Sequence, residues 1–203
     1  MTNVAKFTRQ QLEAFNGKQV DDLLGPDVRL LFVGINPGLW TAAVNAHFAR
    51  RGNRFWPALA AAGILSDVVD ASDGMTHRDL AMVHRAKIGI TNLVSVASAR
   101  ADELTSAQLR DGGRRLADLV ARVRPRVVAM LGVTAYRRAF DDKTAAVGRQ
   151  TERLGVSASF AGAELFVLPN PSGLNAHETL ASLAAAYAVP ARAAGLHRYG
   201  DAG

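Results

Sequence analysis

Short apolar runs alternate with longer stretches of helical periodicity along the chain. The apolar runs lie at residues 29–33, 88–94, 127–131 and 165–168. A continuous apolar run this short is typical of a strand that is buried on both faces. The pattern therefore predicts strands at these four places.

Helical patterns separate the predicted strands, and they lie near residues 53–63, 77–84, 106–123, 133–140 and 177–188. A further helix is predicted from Thr8 to Leu24, because Gln11 follows Thr8 in the capping-box pattern of a helix start. Pro190 is expected to end the last helix, since proline lacks the backbone N–H that continues it. The stretch 141–160 fits either an extra strand or a crossing loop.

This alternation predicts an α/β fold of three layers, with a mostly parallel central sheet of about four strands and helices on both faces. No linker rich in Pro, Gly or Ser, no repeat and no low-complexity block interrupts the pattern. We therefore expect a single domain over residues 1–203, with the termini 1–7 and 190–203 loosely attached.

Two asparagine–proline turns follow two of the predicted strands. One is GINPG at residues 34–38, and the other is NPSGLN at residues 170–175. Ligands bind outside the carboxyl ends of the strands in an open parallel sheet. We therefore expect the two loops, although far apart in sequence, to line one cleft.

Composition and charge indicate which cofactors and binding partners the chain can have. The chain has no cysteine, which excludes disulfides, cysteine-ligated zinc and iron–sulfur clusters. The net charge is +6, and arginine supplies most of the excess. Guanidinium groups suit bidentate contacts with phosphate, so nucleic acid is the expected partner, although a GC-rich coding bias would also favour arginine over lysine.

Two absences in the sequence bear on location. No run of about 18 apolar residues predicts a membrane span. The N-terminus lacks the apolar stretch of a secretion signal. We expect a cytoplasmic protein that associates with the nucleoid through DNA.

Asn36 is the candidate for chemistry in the first loop. Pro37 favours an extended backbone at Asn36, and the carboxamide can orient a water molecule or read a base edge. It cannot act as a general base, and a purely structural role in its own turn is the alternative. The loop has neither the Walker pattern nor Gly-x-Gly-x-x-Gly, which disfavours a phosphate-loop NTPase.

Aromatic and basic residues alternate in the segment 46–56, as is typical of a surface that stacks bases and contacts phosphates. Phe48 is expected to stack on a base, whereas Phe55 and Trp56 are expected in the core. The arginines expected to contact phosphates are Arg50, Arg51 and Arg54.

The second loop offers small donors and one apolar tip. Ser172 and the Gly173 amide can hold a phosphate or a base edge. Leu174 suits insertion between bases. The alternative is that Leu174 folds back onto the helix at 177–188.

Together these motifs resemble the mismatch-specific uracil/thymine DNA glycosylase family of the uracil-DNA glycosylase superfamily. The resemblance is carried by GINPG at 34–38, by FA at 48–49 with NRFW at 53–56, by GITNLV at 89–94 and by NPSGL at 170–174. It implies a four-stranded, mostly parallel sheet between helices. It also implies hydrolytic excision of a flipped uracil, or alternatively of thymine or another damaged pyrimidine, without metal or cofactor, from mismatches such as G·U in double-stranded DNA, which leaves an abasic site. We expect the enzyme to be a monomer.

The resemblance also implies residue roles. Asn36 would position the attacking water, and Phe48 would stack on the base. The loop that enters the duplex would comprise Gly173, Leu174 and Asn175, next to Ser172. The base pocket would be lined by Gly34, Ile35, Thr41, Phe48 and Asn170.

The chain departs from the family pattern at two places. Ala176 and His177 stand where bacterial members have an arginine shortly after the leucine that enters the duplex, so weaker or differently made contacts to the guanine left unpaired are expected. The aspartate and histidine of the classical uracil-specific branch are replaced by Asn36 and by NPS at 170–172. A slow enzyme with a more tolerant choice of substrate is therefore expected.

Asp102 is the second candidate catalytic residue. An oxocarbenium-like transition state gains from a nearby negative charge, which Asn36 does not supply. Asp102 follows the strand at 88–94 and precedes a helix that starts near Thr105, so it is expected at the same rim as the loops. The alternative is a helix-end charge or a salt bridge.

Two other classes of function remain open at this point. One is a non-catalytic protein that binds structured or single-stranded nucleic acid. The other is a nucleotide-processing hydrolase, although the sequence lacks clustered metal-binding carboxylates.

Overall fold

A five-stranded sheet forms the centre of the computed structural model, which describes residues 7–150 and 160–196. The strands are β1 (Leu30–Gly34), β2 (Ile88–Asn92), β3 (Val127–Leu131), β4 (Gly148–Arg149) and β5 (Glu164–Leu168). Their order is β2-β1-β3-β5-β4, and all neighbours are parallel except β4, which is antiparallel to β5. The predicted α/β fold with a mostly parallel sheet is confirmed. The additional strand β4 lies in the stretch that sequence left open.

Helices cover both faces of the sheet, which gives three layers. They are α1 (Arg9–Glu13), α2 (Leu39–Val44), α3 (Phe55–Ala61), α4 (His77–Arg85), α5 (Ser106–Val123), α6 (Val133–Phe140) and α7 (Leu180–Ala193). Alternate residues of β1 point into different cores. Leu30 and Phe32 pack with α3, α4 and α7, whereas Leu31 and Val33 pack with α5 and α6. None of the helices in the described ranges is both long enough and apolar enough to cross a membrane.

The prediction of one helix from Thr8 to Leu24 is wrong. The capping box at Thr8 is present, but α1 ends at Glu13. The chain then runs along the open edge of β2, where Leu23 and Ile90 exchange two backbone hydrogen bonds of 2.8 Å. We call residues 17–23 the N-terminal strap. Pairing with the exposed strand edge satisfies backbone groups that a helix would have satisfied internally.

The expected helix end at Pro190 is also wrong, because α7 continues to Ala193. Proline removes only its own N–H, and the next turn still forms, since the Ala194 N–H donates to the Pro190 carbonyl at 2.9 Å. Pro190, Ala191 and Ala194 are buried, so this part of the tail, expected to be loosely attached, packs on the core. The rest of the predicted loose termini, residues 1–6 and 197–203, lies outside the described residues.

One helix was not predicted from the sequence pattern, namely α2.

Candidate active site

A cleft of about 390 Å³ opens at the carboxyl ends of the parallel strands. Both asparagine–proline loops line it, together with the segment after α2 and the segment around residues 98–102. The predicted site residues that line the cleft are Gly34, Ile35, Asn36, Thr41, Phe48, Arg50, Asp102, Asn170, Ser172 and Leu174. Arg51, Arg54, Gly173 and Asn175 are not among its lining residues.

Asn36 is held in one orientation by two acceptors. Its Nδ2 donates to the Pro37 carbonyl at 3.0 Å and to Ser98 Oγ at 2.9 Å. Ser98 Oγ itself donates to the Arg100 carbonyl at 2.8 Å, so it presents lone pairs to Asn36. The amino group must therefore point towards Ser98, which turns Oδ1 the other way. No donor within residues 7–150 or 160–196 forms a hydrogen bond to Oδ1 of Asn36. Because Asn36 lines the cleft, this oxygen can accept a hydrogen bond from a ligand or a water molecule.

Gly34 and Phe48 shape the floor of the cleft. A Cβ on Gly34 would lie 2.4 Å from Asn92 Oδ1 and 3.2 Å from Cζ of Phe48, so no larger residue fits there. Phe48 adopts φ 55° and stacks on the buried ring of Phe55 with 4.0 Å between centroids. Because Phe48 also lines the cleft, its ring is a rigid, half-buried wall.

Asn92 and His47 are cleft residues that the sequence analysis did not identify. Both are buried. Asn92 ends β2 in register with Gly34, and its Nδ2 lies 3.2 Å from His47 Nδ1. Burial lowers the pKa of His47, which keeps the imidazole neutral. The signal that would have revealed Asn92 is the polar residue at the carboxyl end of a strand adjacent to β1, but its use required the register.

The side-chain oxygen of Asn170 forms a hydrogen bond within the second loop, whereas its side-chain nitrogen does not. Its Oδ1 accepts from the Ser172 N–H at 2.9 Å, which forms a turn within the second loop. Asn175 Nδ2 donates to the Asn170 carbonyl at 3.1 Å and closes the same loop. Asn170 Nδ2 has no acceptor among the residues that the structure describes, so it offers a donor on the cleft wall. Thr41, on α2, is buried in the same wall.

Arg54 does not present its guanidinium to a ligand, which corrects the phosphate-contact prediction for this residue. It donates to the carbonyls of Ser172 at 2.7 Å, Asn175 at 2.8 Å and Glu178. Its backbone N–H also donates to the Pro171 carbonyl at 3.0 Å. The side chain is thus the internal support of the second loop.

Close packing joins the second loop to the segment before α3. A Cβ on Gly173 would lie 2.7 Å from the Gly52 carbonyl oxygen, so the two backbones touch there. Leu174, next to this contact, is 82% exposed and does not fold back onto α7. Ala176 and His177 are exposed beyond it.

Exposed arginines flank the cleft. Arg50 lines it, and Arg51 is exposed directly beside Arg50. The next residue along the chain, Gly52, packs against the second loop. The two side chains are therefore accessible to a polyanion that approaches Leu174.

Asp102 lies on a short 3-10 turn (Ala101–Glu103) at the rim of the cleft. Its carboxylate is 63% exposed and pairs with Arg100, whose Nε donates to Oδ1 at 3.0 Å. This pairing raises the pKa of Arg100. Both carboxylate oxygens are therefore engaged by a guanidinium, as the salt-bridge alternative anticipated.

Within residues 7–150 and 160–196, no group of three or more His, Cys, Asp or Glu side chains is arranged to hold a metal ion.

Comparison with known proteins identifies the fold and the family of the chain. A protein from Methanosarcina acetivorans, solved by solution NMR and described as a candidate uracil DNA glycosylase, superposes with a TM-score of 0.56 at 17% identity. The match covers 87% of this chain and 98% of that protein, and at this identity it demonstrates the shared fold. The family model of the uracil DNA glycosylase superfamily matches residues 22–189, which include every residue assigned to the cleft. The chain therefore belongs to the uracil DNA glycosylase superfamily.

Proposed function

We propose that this protein is a monofunctional, mismatch-specific uracil-DNA glycosylase that acts as a monomer on double-stranded DNA. Membership of the superfamily supports a DNA glycosylase. The observation that carries the proposal is the fixed carboxamide of Asn36, whose Oδ1 accepts from no donor in the described residues and belongs to the cleft that the ring of Phe48 also lines. This is the arrangement needed to hold one water molecule next to a stacked base.

The reaction is hydrolysis of the N-glycosidic bond. The bond between C1′ and N1 breaks, the electron pair leaves with uracil, and C1′ becomes an oxocarbenium-like centre. Asn36 Oδ1 accepts a hydrogen bond from the water, whose oxygen then forms the new bond to C1′. The water loses one proton to solvent, the uracil anion takes up one proton from solvent, and the products are free uracil and an abasic site. Positioning the water lowers the entropic part of the barrier.

Two amide groups match the edge of uracil. Asn92 Oδ1 is an acceptor for the imide N–H, and Asn170 Nδ2 is a donor for a carbonyl oxygen. Phe48, supported from behind by Phe55, provides the stacking surface. A pocket of this kind accepts the flipped pyrimidine ring and rejects a base that lacks the imide N–H.

Mismatch selectivity arises from the cost of flipping. A uracil opposite guanine is less well paired than one opposite adenine, so extruding it costs less by up to a few kcal/mol. Leu174 is exposed at the mouth of the cleft and would fill the stack that the base leaves. Arg50 and Arg51 would contact the backbone phosphates.

Asp102 is retained as a supplementary source of negative charge at the rim. Its pairing with Arg100 reduces the field that it can exert on C1′, so the proposal gives the larger role to Asn36. Catalysis by Asp102 therefore requires Arg100 to release it when DNA binds.

The test is release of free uracil from a G·U duplex in the presence of EDTA, with a U·A duplex as comparison. The proposal predicts single-turnover release from both, faster from G·U. Equal rates would contradict mismatch-assisted extrusion. Binding without release would favour the non-catalytic nucleic-acid-binding protein, and complete inhibition by EDTA would favour a metal-dependent hydrolase.

Asn36→Ala separates catalysis from binding. It should reduce the single-turnover rate about 100-fold or more, because the lost interaction acts mainly in the transition state. Affinity for abasic-site DNA, measured by fluorescence anisotropy, should stay close to that of the wild type. A loss of affinity that parallels the loss of rate would mean that Asn36 only supports the fold.

A further inference from the structure

His47 links the N-terminal strap to the floor of the cleft through two hydrogen bonds. Its Nε2 lies 2.8 Å from the carbonyl oxygen of Asp21, which belongs to the strap. Its Nδ1 lies 3.2 Å from Nδ2 of Asn92. The ring is 3% exposed, so water does not compete for these contacts.

The Asp21 carbonyl fixes the tautomer of His47. A carbonyl oxygen only accepts hydrogen bonds, so Nε2 must carry the proton. In a neutral imidazole Nδ1 is then an acceptor, and it takes the amino group of Asn92. Desolvation lowers the pKa of His47, which favours this neutral form despite the nearby carboxylates of Asp21 and Asp22.

The tautomer in turn fixes the orientation of Asn92. With Nδ2 directed at His47, Oδ1 is directed at Gly34, where a Cβ would approach it to 2.4 Å. No donor in the described parts of the chain reaches Asn92 Oδ1. Without His47, nothing in these contacts would distinguish the two ends of the carboxamide.

We propose that His47 is a positioning residue that sets base choice, by holding Asn92 with its carboxamide oxygen towards the bound base. This inference rests on the proposed function. An oxygen at this position accepts the imide N–H of uracil. If the carboxamide of Asn92 were reversed, its amino group would face the imide N–H of uracil, and two donors cannot form a hydrogen bond. The reversed amide would instead suit cytosine, whose unprotonated N3 is an acceptor.

The strap supports Asn36 as well as Asn92. Besides Asp21, it carries Gly17, whose N–H donates to the Ala97 carbonyl at 2.8 Å, and Lys18, whose carbonyl accepts from the Ala97 N–H at 2.8 Å. Ala97 precedes Ser98, the residue that orients Asn36. The strap up to Asp21 lies before the region that the family model matches, yet it anchors contacts on two sides of the cleft.

Two substitutions each remove one of the two hydrogen bonds of His47 and keep the other. His47→Gln places an amide at the position of Nε2, so it keeps the donor to Asp21 and loses the acceptor for Asn92. His47→Asn places an amide oxygen near the position of Nδ1, so it keeps the acceptor and loses the donor. Because each variant loses one hydrogen bond, we expect similar decreases in melting temperature. The exposed His77, on α4, gives the control variant His77→Gln.

The assay is single-turnover release of uracil or cytosine from otherwise identical single-stranded oligonucleotides, in which no base pair has to be broken. His47→Gln should reduce uracil release about tenfold or more without reducing cytosine release, because the freed amide of Asn92 can reverse. His47→Asn should retain most of the uracil rate, and His77→Gln should match the wild type in both rates.

Equal loss of uracil release in His47→Gln and His47→Asn, or an unchanged rate in His47→Gln, would overturn the proposal. If His47→Gln does not fold, nitrogen NMR of the wild-type imidazole decides, since a proton on Nδ1 would exclude the acceptor role. Failure of the wild type to release uracil would instead reject the proposed function, so the two failures are distinguishable.

Discussion

Replacing Arg54 with alanine tests whether the second loop depends on an internal guanidinium. Arg54 donates to the carbonyls of Ser172, Asn175 and Glu178, and these are the acceptors that hold the loop against the start of α3. The loop carries Asn170 and Leu174, so its geometry decides the positions of both residues in the cleft.

The size of the effect follows from these contacts. A hydrogen bond to a charged group contributes about 1.5–3 kcal/mol, but bonds in one network do not add, and water can reach carbonyls exposed by the truncation. We therefore expect Arg54→Ala to lower the free energy of unfolding by about 2–4 kcal/mol. At about 2–4 °C per kcal/mol for a chain of this size, the melting temperature should fall by roughly 4–16 °C.

Thermal unfolding and the salt dependence of DNA binding together give the assay, with Arg51→Ala as the matched control. Arg51 is exposed next to the cleft, so its loss should change stability by no more than about 0.5 kcal/mol. If Arg51 contacts one phosphate, its loss should reduce the slope of log K against log salt by about 0.9. Arg54→Ala should leave that slope unchanged. A variant Arg54→Ala with an unchanged melting temperature and a flattened slope would refute the reasoning and restore Arg54 to the phosphate contacts.

Three further outcomes are expected. Leu174→Ala should slow uracil release from duplexes more than from single strands, since only a duplex has a stack to fill; equal slowing on both substrates would make Leu174 structural. Asp102→Asn keeps the shape of the side chain and removes its charge, so it should cut the single-turnover rate and abolish the acidic limb of its pH profile if Asp102 assists the reaction; a full rate at every pH would leave Asp102 as a partner of Arg100 only. Burial lowers the pKa of His47 in the folded protein, so the unfolded chain binds the imidazole proton more tightly. The contribution of His47 to the free energy of unfolding should therefore be fully present above about pH 6.5, the ordinary pKa of histidine, and should decline below it. Urea unfolding near pH 5.5 and 7.5 checks this, and an equal pH dependence in His47→Asn would assign the effect to other groups.

Local pattern predicted the elements whose ends are decided locally. The bounds of α5 and α6 agree with the predicted helices, because a capping box at Thr105 and regular apolar spacing mark them. The strap and the end of α7 could not be predicted in this way. Both depend on tertiary partners, namely the free edge of β2 for Leu23 and the core around Ala191 for the residues after Pro190.

The contrast between local pattern and tertiary contact also explains which site residues could be predicted. The loops at Asn36 and Asn170 were identifiable because an asparagine–proline turn after a buried strand has little structural need for its polar groups. Arg54 was misassigned because composition does not tell a guanidinium that contacts phosphate from one that contacts carbonyls of its own chain. Asn92 was missed because its place opposite Gly34 follows from strand register, and register is not visible in an unaligned sequence.

Three of the asparagines that line the cleft, Asn36, Asn92 and Asn170, share one physical device. Each uses one end of its carboxamide inside the protein and leaves the other on the cleft wall: Asn36 and Asn92 anchor their amino groups, and Asn170 anchors its oxygen. A carboxylate at position 36 has no N–H with which to make the contact that Asn36 makes to Ser98 Oγ, and the Ser98 hydroxyl would have to turn away from the Arg100 carbonyl to donate to it. In the proposed reaction, the site gives up a charge near C1′ and gains an acceptor for water whose direction is fixed before DNA arrives, so the rate would depend on positioning more than on charge.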